Sequence, residues 1–345
     1  MTLLGAPISE QALDGVLIDK LEALKLMVQP LQGVDSHDAL FLLRHCFAIP
    51  KVTYFLRSAP CFKRESILQE YDKQLKQSLQ SILNIELDDE TWTQSSLPIA
   101  WGGLGIRRAT DIALPAFISS AMSTIWSTRK LLPDYLDGHP YEEAEEAQRH
   151  WRAFFNNNDV HMNDSTLQSS WDLPLVELTY QTLLDKKTTP VDQARLRAVA
   201  SEHASDWLSA VPVASLGLKL DNSSLRVAVG LRLGTKICES HKCVCGQLVD
   251  PWGRHGLSCR NAKGTQSRHS QANDIIKRAL ASCGAPSVLE PPGLSRSDGK
   301  RPDGLTLYPW SNGKNVVWDF TCRDTLAPSH VISTCKGAGK AAEQK

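Results

Sequence analysis

The chain has no excess of either charge: 38 Lys and Arg stand against 38 Asp and Glu in 345 residues, for a formal net charge of zero. That removes any global electrostatic argument for a polyanionic partner, so a nucleic-acid surface has to be local. No apolar run approaches the roughly eighteen residues needed to cross a bilayer, and the opening Met1–Pro7 has no basic flank ahead of a long apolar stretch. A soluble intracellular protein without a membrane partner is expected. There is no internal repeat and no low-complexity tract. Cysteine lacks a pairing pattern: the count is nine, and Cys46, Cys61, Cys283, Cys322 and Cys335 are scattered. This favours a reducing compartment and a metal site over a disulfide framework. With 42% hydrophobic residues the chain can build ordinary cores for two or three domains.

What is present begins as helix. Leu13, Val16, Leu17, Leu21, Leu24 and Val28 recur at spacings of three and four, which predicts a helix from Ser9 to about Gln29, stopped by Pro30. A second helix is predicted after the capping residues Asp35 and Ser36, and a third over Ile67–Leu83. The stretch Leu97 to Arg107 differs in kind, because Gly102, Gly103 and Gly105 cannot sit in a helix interior. It reads as a structural turn or, with Arg107 and Arg108 following, as a phosphate or nucleic-acid contact. A helix from about Pro115 follows, then a polar stretch over 133–174 that reads as a boundary, then a helix over Asp192–Ala210. Arg226 to Leu233 alternates only loosely.

The most informative stretch runs from Cys243 to Asp319. Cys243, Cys245, His255 and Cys259 offer three thiolates and one imidazole, a set that closes tetrahedrally around structural Zn(II). Cys238 and His241 are near enough in sequence to allow a different ligand set. Basic residues follow on a segment of helical period, where Arg268, His269, Lys277 and Arg278 are candidate phosphate contacts. Three spaced acids that follow, Glu290, Asp303 and Asp319, are the catalytic candidates. Asp303 stands between Pro302 and Gly304 at the start of an apolar run, Asp319 ends the β-branched and aromatic run from Asn315, and Asn312-Gly313 between them predicts a hairpin. Adjacent strands would bring Asp303 and Asp319 together, and converging carboxylates suit Mg(II), with Glu290 as a further oxygen donor.

These residues resemble the C-terminal part of non-LTR retrotransposon reverse transcriptase proteins that carry a restriction-like endonuclease. The resemblance rests on the CCHC knuckle, on Arg268, His269 and Asn273, on Arg301-Pro302-Asp303, and on the strand ending in Asp319. Upstream, Leu3 to Ile8 resembles the end of the polymerase palm, and Leu97 to Arg107 the thumb and linker that follow. The resemblance implies an α+β chain, largely helical in its N-terminal two thirds. A small zinc knuckle and a small α/β PD-(D/E)-x-K-like core come after. It implies a helical thumb-like region over 1–132, a mostly helical linker over 133–235, the knuckle over 236–262 and the endonuclease over 263–345. The Asp-Asp polymerase motif is missing, so no polymerase activity is expected, and Thr321 stands where the core's lysine would be. In this family the lysine is displaced to a later helix, where Lys336, Lys340 and Lys345 are candidates, with the chain stopping inside that helix. The implied function is Mg(II)-dependent nicking of double-stranded target DNA for target-primed reverse transcription, in the nucleus, with element RNA as a second partner and no small-molecule substrate. The alternative is a non-catalytic, zinc-containing nucleic-acid-binding fragment.

Overall fold

A computed structural model of the chain describes residues 1–131, 142–155, 165–259, 261, 263–295 and 299–343. The fold is α+β and mostly helical, and it divides into two compact units, Met1–Ile237 and Cys238–Lys345.

In the first unit a short hairpin, β1 (Thr2–Leu3) with β2 (Ala6–Pro7), precedes α1 (Glu10–Val28). The Ser9 hydroxyl accepts the Ala12 N–H at the start of α1, and Leu13, Leu17, Leu21, Leu24 and Val28 form its buried stripe. Next come α2 (Ser36–Leu42), α3 (Thr53–Ser58), α4 (Glu65–Leu83) and α5 (Asp89–Ser96). Among the described residues, Ser36–Ser58 is a helical stretch long and apolar enough to cross a membrane by length and composition. It is broken into short pieces around Ala48 and Pro50, and its Leu40, Leu43 and Leu56 lie fully buried in the core with Leu75 and Leu79 of α4.

Then follow α6 (Ala109–Leu131), α7 (Glu142–Ala153), α8 (Gln168–Lys186), α9 (Pro190–Val199), α10 (Asp206–Ser209) and α11 (Asn222–Leu233). Three expectations shift here. Helix α6 begins at Ala109 and holds Pro115 inside it. The reason is a cap from far away: the Asp72 carboxylate of α4 accepts the Ala109 N–H (2.5 Å), the Thr110 N–H (3.2 Å) and the Thr110 hydroxyl (2.6 Å). The run predicted as one helix over Asp192–Ala210 is two, separated by a turn in which His203 takes φ 63°. Arg226 to Leu233 belongs to a regular helix, begun by Asp221 accepting the Ser223 and Ser224 N–H groups and ended by left-handed Gly234.

The glycine-rich stretch is a structural turn wrapped around a buried cation. Its amides are spent internally: Gly102 donates to Ile99 O, Gly103 to Pro98 O, Leu104 to Ser95 O and Gly105 to Leu97 O. The buried Arg232 guanidinium donates to Gly103 O (3.1 Å), Ile99 O (2.7 Å) and Ser205 Oγ (2.9 Å). Burial, reinforced by the charge of Arg195, pulls Arg232 down to about 10. A Cβ on Gly103 would stand 2.0 Å from Leu97 O, so only glycine passes there. Carbonyls face the cation, and the amides of all three glycines are already used inside the turn.

Burial pushes the Asp72 carboxyl up to about 6, against the opposing pull of its Thr110 and Ala109 donors. A carboxyl raised above its ordinary value favours the fold while neutral and loses that contribution as pH rises through the folded value. Wild type is therefore expected to lose about 2 kcal/mol of stability relative to Asp72→Asn between roughly pH 4.5 and 6.5. Urea unfolding of both proteins at the two pH values measures it. Wild-type stability that rises relative to Asp72→Asn as pH increases would refute it.

The second unit starts with the ribbon β3 (His241–Lys242) and β4 (Leu248–Val249), then α12 (His255–Ser258) and α13 (Lys263–Ser282). An antiparallel sheet of β5 (Ser287–Leu289), β6 (Gly304–Thr306) and β7 (Val317–Trp318) follows, with α14 (Val331–Thr334) and α15 (Lys340–Glu343) last. Helix α13 packs on β5 and β6. Its inward positions His269, Ala272, Asn273, Ile276 and Leu280 follow the helical period.

Candidate metal centre and acidic row

The tight turn joining β3 to β4 presents two of the four sulfur and nitrogen donors. Cys243 N donates to Gln247 O (2.8 Å), Gly246 N to Cys243 O (2.8 Å), and Gly246 takes φ 86°, which the missing Cβ allows. The remaining donors, His255 and Cys259, lie one helical turn apart, at the start of α12 and just past its end, where Cys259 N donates to His255 O (2.9 Å). Asp250 Oδ1 accepts the Arg254 N–H (3.1 Å) and sets where that turn begins. All four donor atoms lie within 4.8 Å of one another. Cys243 Sγ is 3.8 Å from Cys259 Sγ and Cys245 Sγ is 3.1 Å from His255 Nε2. Zn–S bonds of about 2.3 Å make a tetrahedron whose sulfur–sulfur edge is about 3.8 Å, so the residues present fit zinc. Hydrogen bonds from the Cys245 backbone N–H, then from the His255 and Cys245 side chains, pull the Cys243 thiol down to about 6. Cys238 and His241 stand outside the set: Cys238 Sγ turns to Asp250 O (3.3 Å) and His241 Nδ1 to Glu239 O (2.8 Å). With four protein donors such a set leaves no open position for a catalytic water.

The acids fall into line through strand register. Leu289 pairs with Gly304, and Gly304 with Trp318. One step further, Glu290 N donates to Asp303 O (2.9 Å) and Asp303 N to Trp318 O (3.0 Å), so Glu290, Asp303 and Asp319 form one row across the end of the sheet. Asn312 and Gly313, with φ of 51° and 71°, make the tight turn of the connecting hairpin. Within the row Asp303 is largely enclosed, its side chain 14% exposed, while Glu290 and Asp319 are exposed. Asp303 Oδ2 accepts the Phe320 N–H (2.6 Å) and lies 3.1 Å from His269 Nε2. Among the described residues the Cys/His set is the group of three or more donors gathered within metal-ligating reach, and the acidic row is not so gathered.

Behind Asp303 runs a chain of contacts that sequence reasoning missed as a unit. Asn273 Nδ2 lies 3.3 Å from His269 Nδ1, and Asn273 Oδ1 accepts the indole N–H of Trp318 (3.1 Å). Asn273 is buried, so a pairing across 45 residues ties α13 to β7. Only the spacing of His269 and Asn273, one helical turn apart, hinted at it. Gly304 makes room for the indole: a Cβ there would stand 2.0 Å from Trp318 Cζ2. Gly304→Ala is expected to push the ring out and break its bond to Asn273. Overpacking and the lost hydrogen bond together cost about 2–4 kcal/mol. Thermal melting of the variant checks this, and an unchanged midpoint would refute it.

The remaining candidates are placed as follows. Lys277 is exposed on α13, where Arg278 pairs with Asp274 (2.9 Å) and Arg268 Nη2 donates to Leu257 O (3.4 Å). In the first unit Arg107 makes a two-pronged pair with Asp172 (2.7 Å for each bond), and Arg108 another with Asp111 (2.7 and 2.9 Å). Lys340 is exposed and pairs with Glu343 (2.7 Å), whereas Lys345 lies outside the described residues.

No family model matches the chain. A curated protein does. The chain is similar to a retrotransposable element protein. Over 306 residues, 88% of its length, it is 22% identical to the retrotransposable element SLACS 132 kDa protein of Trypanosoma brucei gambiense. The match takes in 22% of that protein, so the chain spans about a fifth of the relative's length.

Proposed function

We propose that the chain is part of a retroelement-derived protein and that its Cys238–Lys345 unit is a Mg(II)-dependent endonuclease. It nicks one strand of double-stranded target DNA, leaving a 3′ end that primes reverse transcription. The observation carrying this reading is the row of Glu290, Asp303 and Asp319 across one sheet end. The similarity to a retrotransposable element protein supports the origin. Asp303 and Asp319 would hold Mg(II), with Glu290 as a further donor. When bound there, the ion would supply an acidified water and charge for the phosphate. The chain's own residues do the positioning. The Phe320 N–H fixes one oxygen of Asp303, and His269 stands against that same oxygen. Lys340 or Lys345 would orient the water, and Arg268, Lys277 and Arg278 would meet phosphates along α13. Arg107 and Arg108 would serve nucleic acid only by leaving their carboxylates. In this reading 1–132 is thumb-like, 133–235 a linker, 236–262 the knuckle and 263–345 the nuclease. Element RNA is then the second partner and the nucleus the place of action. Conversion of supercoiled plasmid to relaxed circles with Mg(II) tests it, and equal nicking by wild type and Asp303→Ala would sink it.

A non-catalytic, zinc-containing nucleic-acid-binding protein is the second reading. It is favoured by Asp303 Oδ2 being engaged already and by the acids standing apart. Duplex binding with no nicking by wild type would select it.

A further inference from the structure

The connection between β6 and β7 is a braced arm whose aromatic rings have no use inside the fold. Its base is pinned by Thr306, fully buried, whose Oγ1 accepts the Val316 N–H (2.9 Å) and whose carbonyl accepts Asn315 Nδ2 (2.6 Å). Its tip is closed by the Asn312-Gly313 turn, with Trp310 N donating to Lys314 O (2.8 Å) and Lys314 N to Ser311 O (2.9 Å). Every residue from Leu307 to Asn315 is exposed, with Tyr308 at 63% and Trp310 at 54%. Pro309 between the two rings fixes its own φ and stiffens the arm. Large rings held in water on a rigid support mark a contact surface.

Charge selects the occupant. From Gly304 to Trp318 the segment holds one cation, Lys314 at the tip, and no carboxylate. Aromatic faces beside a cation, with no acid to repel a phosphate, suit a nucleic-acid strand. Rings stack on any base whose face is free, and within a duplex those faces are already covered. We propose that the Leu307–Asn315 hairpin is a stacking arm for unpaired bases, with Tyr308 and Trp310 as platforms and Lys314 as the phosphate contact. The proposal rests on the nucleic-acid reading above only for the class of partner. Because the arm is already ordered, engaging it costs little conformational entropy.

The test uses the full chain in magnesium-free buffer, with fluorescence anisotropy of a labelled single strand and of a blunt duplex. Tyr308→Ala/Trp310→Ala is expected to weaken single-strand binding by roughly 10-fold or more per ring while duplex affinity stays within about 2-fold. Trp310→Phe should restore much of the loss, and melting should be unchanged because both rings are exposed. Equal losses on both DNAs, or none, overturn the arm. So does a wild type that is dimeric in sedimentation and made monomeric by the double variant, since the rings would then cover a second copy. Plasmid nicking by the double variant at the wild-type rate, alongside unchanged single-strand binding, would overturn the arm and leave the nuclease standing.

Discussion

Cys259→Ser is expected to empty the zinc centre. Metal analysis of the purified chain should fall from one zinc per chain to below about a tenth, because a hydroxyl does not replace a thiolate at this metal. The consequence reaches beyond the ion. The ribbon of β3 and β4 pairs only two residues from each strand, and α12 is a single turn. So short a segment has little apolar surface of its own, with Val244 at 97% and Leu248 at 68% exposed. Its folding should therefore draw on metal binding, worth about 10–16 kcal/mol in small structural zinc sites. Hydrogen exchange over Cys238–Cys259 should rise to near the unprotected rate in the variant, while the Met1–Ile237 unit, with its own core, keeps its protection. Cys238→Ser is the control, since that sulfur turns to backbone carbonyls outside the donor set. If Cys238→Ser lost zinc and Cys259→Ser kept it, the assignment of ligands would be wrong.

The contrast between those two cysteines shows what a linear reading captures. Cys243, Cys245, His255 and Cys259 reach one another through a tight turn and one helical turn, geometry that spacing encodes, whereas only the folded ribbon shows Cys238 facing away. The stripes of α1 and α4 were legible for the same reason, as was the hairpin, because Asn312-Gly313 carries the turn's own chemistry. What escaped is long-range. No local signal places the Asp72 carboxylate at the start of α6, and so a helix predicted from Pro115 begins at Ala109. The glycines of Leu97–Arg107 favoured a structural turn but left a phosphate loop open until Arg232, more than a hundred residues later, was seen against them. Arg107 looked available until Asp172 closed on it. Side chains that pair across the fold are invisible to periodicity, and the cationic candidates suffered most.

Asp303→Asn is expected to abolish nicking while sparing the fold, and this separates chemistry from architecture better than alanine does. The Asp303 backbone holds the sheet through its bonds to Glu290 and Trp318, which the substitution leaves alone. An amide oxygen still accepts from the Phe320 N–H, so the local geometry survives. What goes is the negative charge that would hold a divalent ion, and with one of few protein ligands gone nicking should drop by about a thousandfold or more. Melting midpoint and zinc content should match wild type, whereas Asp303→Ala also strips the acceptor from Phe320. His269→Ala supplies the third comparison. As a positioning residue it should lower nicking by roughly 10-fold to 100-fold and raise the Mg(II) concentration needed, since on Asp303 it touches the oxygen that Phe320 N–H also holds. Loss of nicking in Asp303→Asn with wild-type melting would place the charge in the chemistry. Retention of full activity would remove Asp303 from it and leave the zinc centre and the nucleic-acid surface as the unit's working parts.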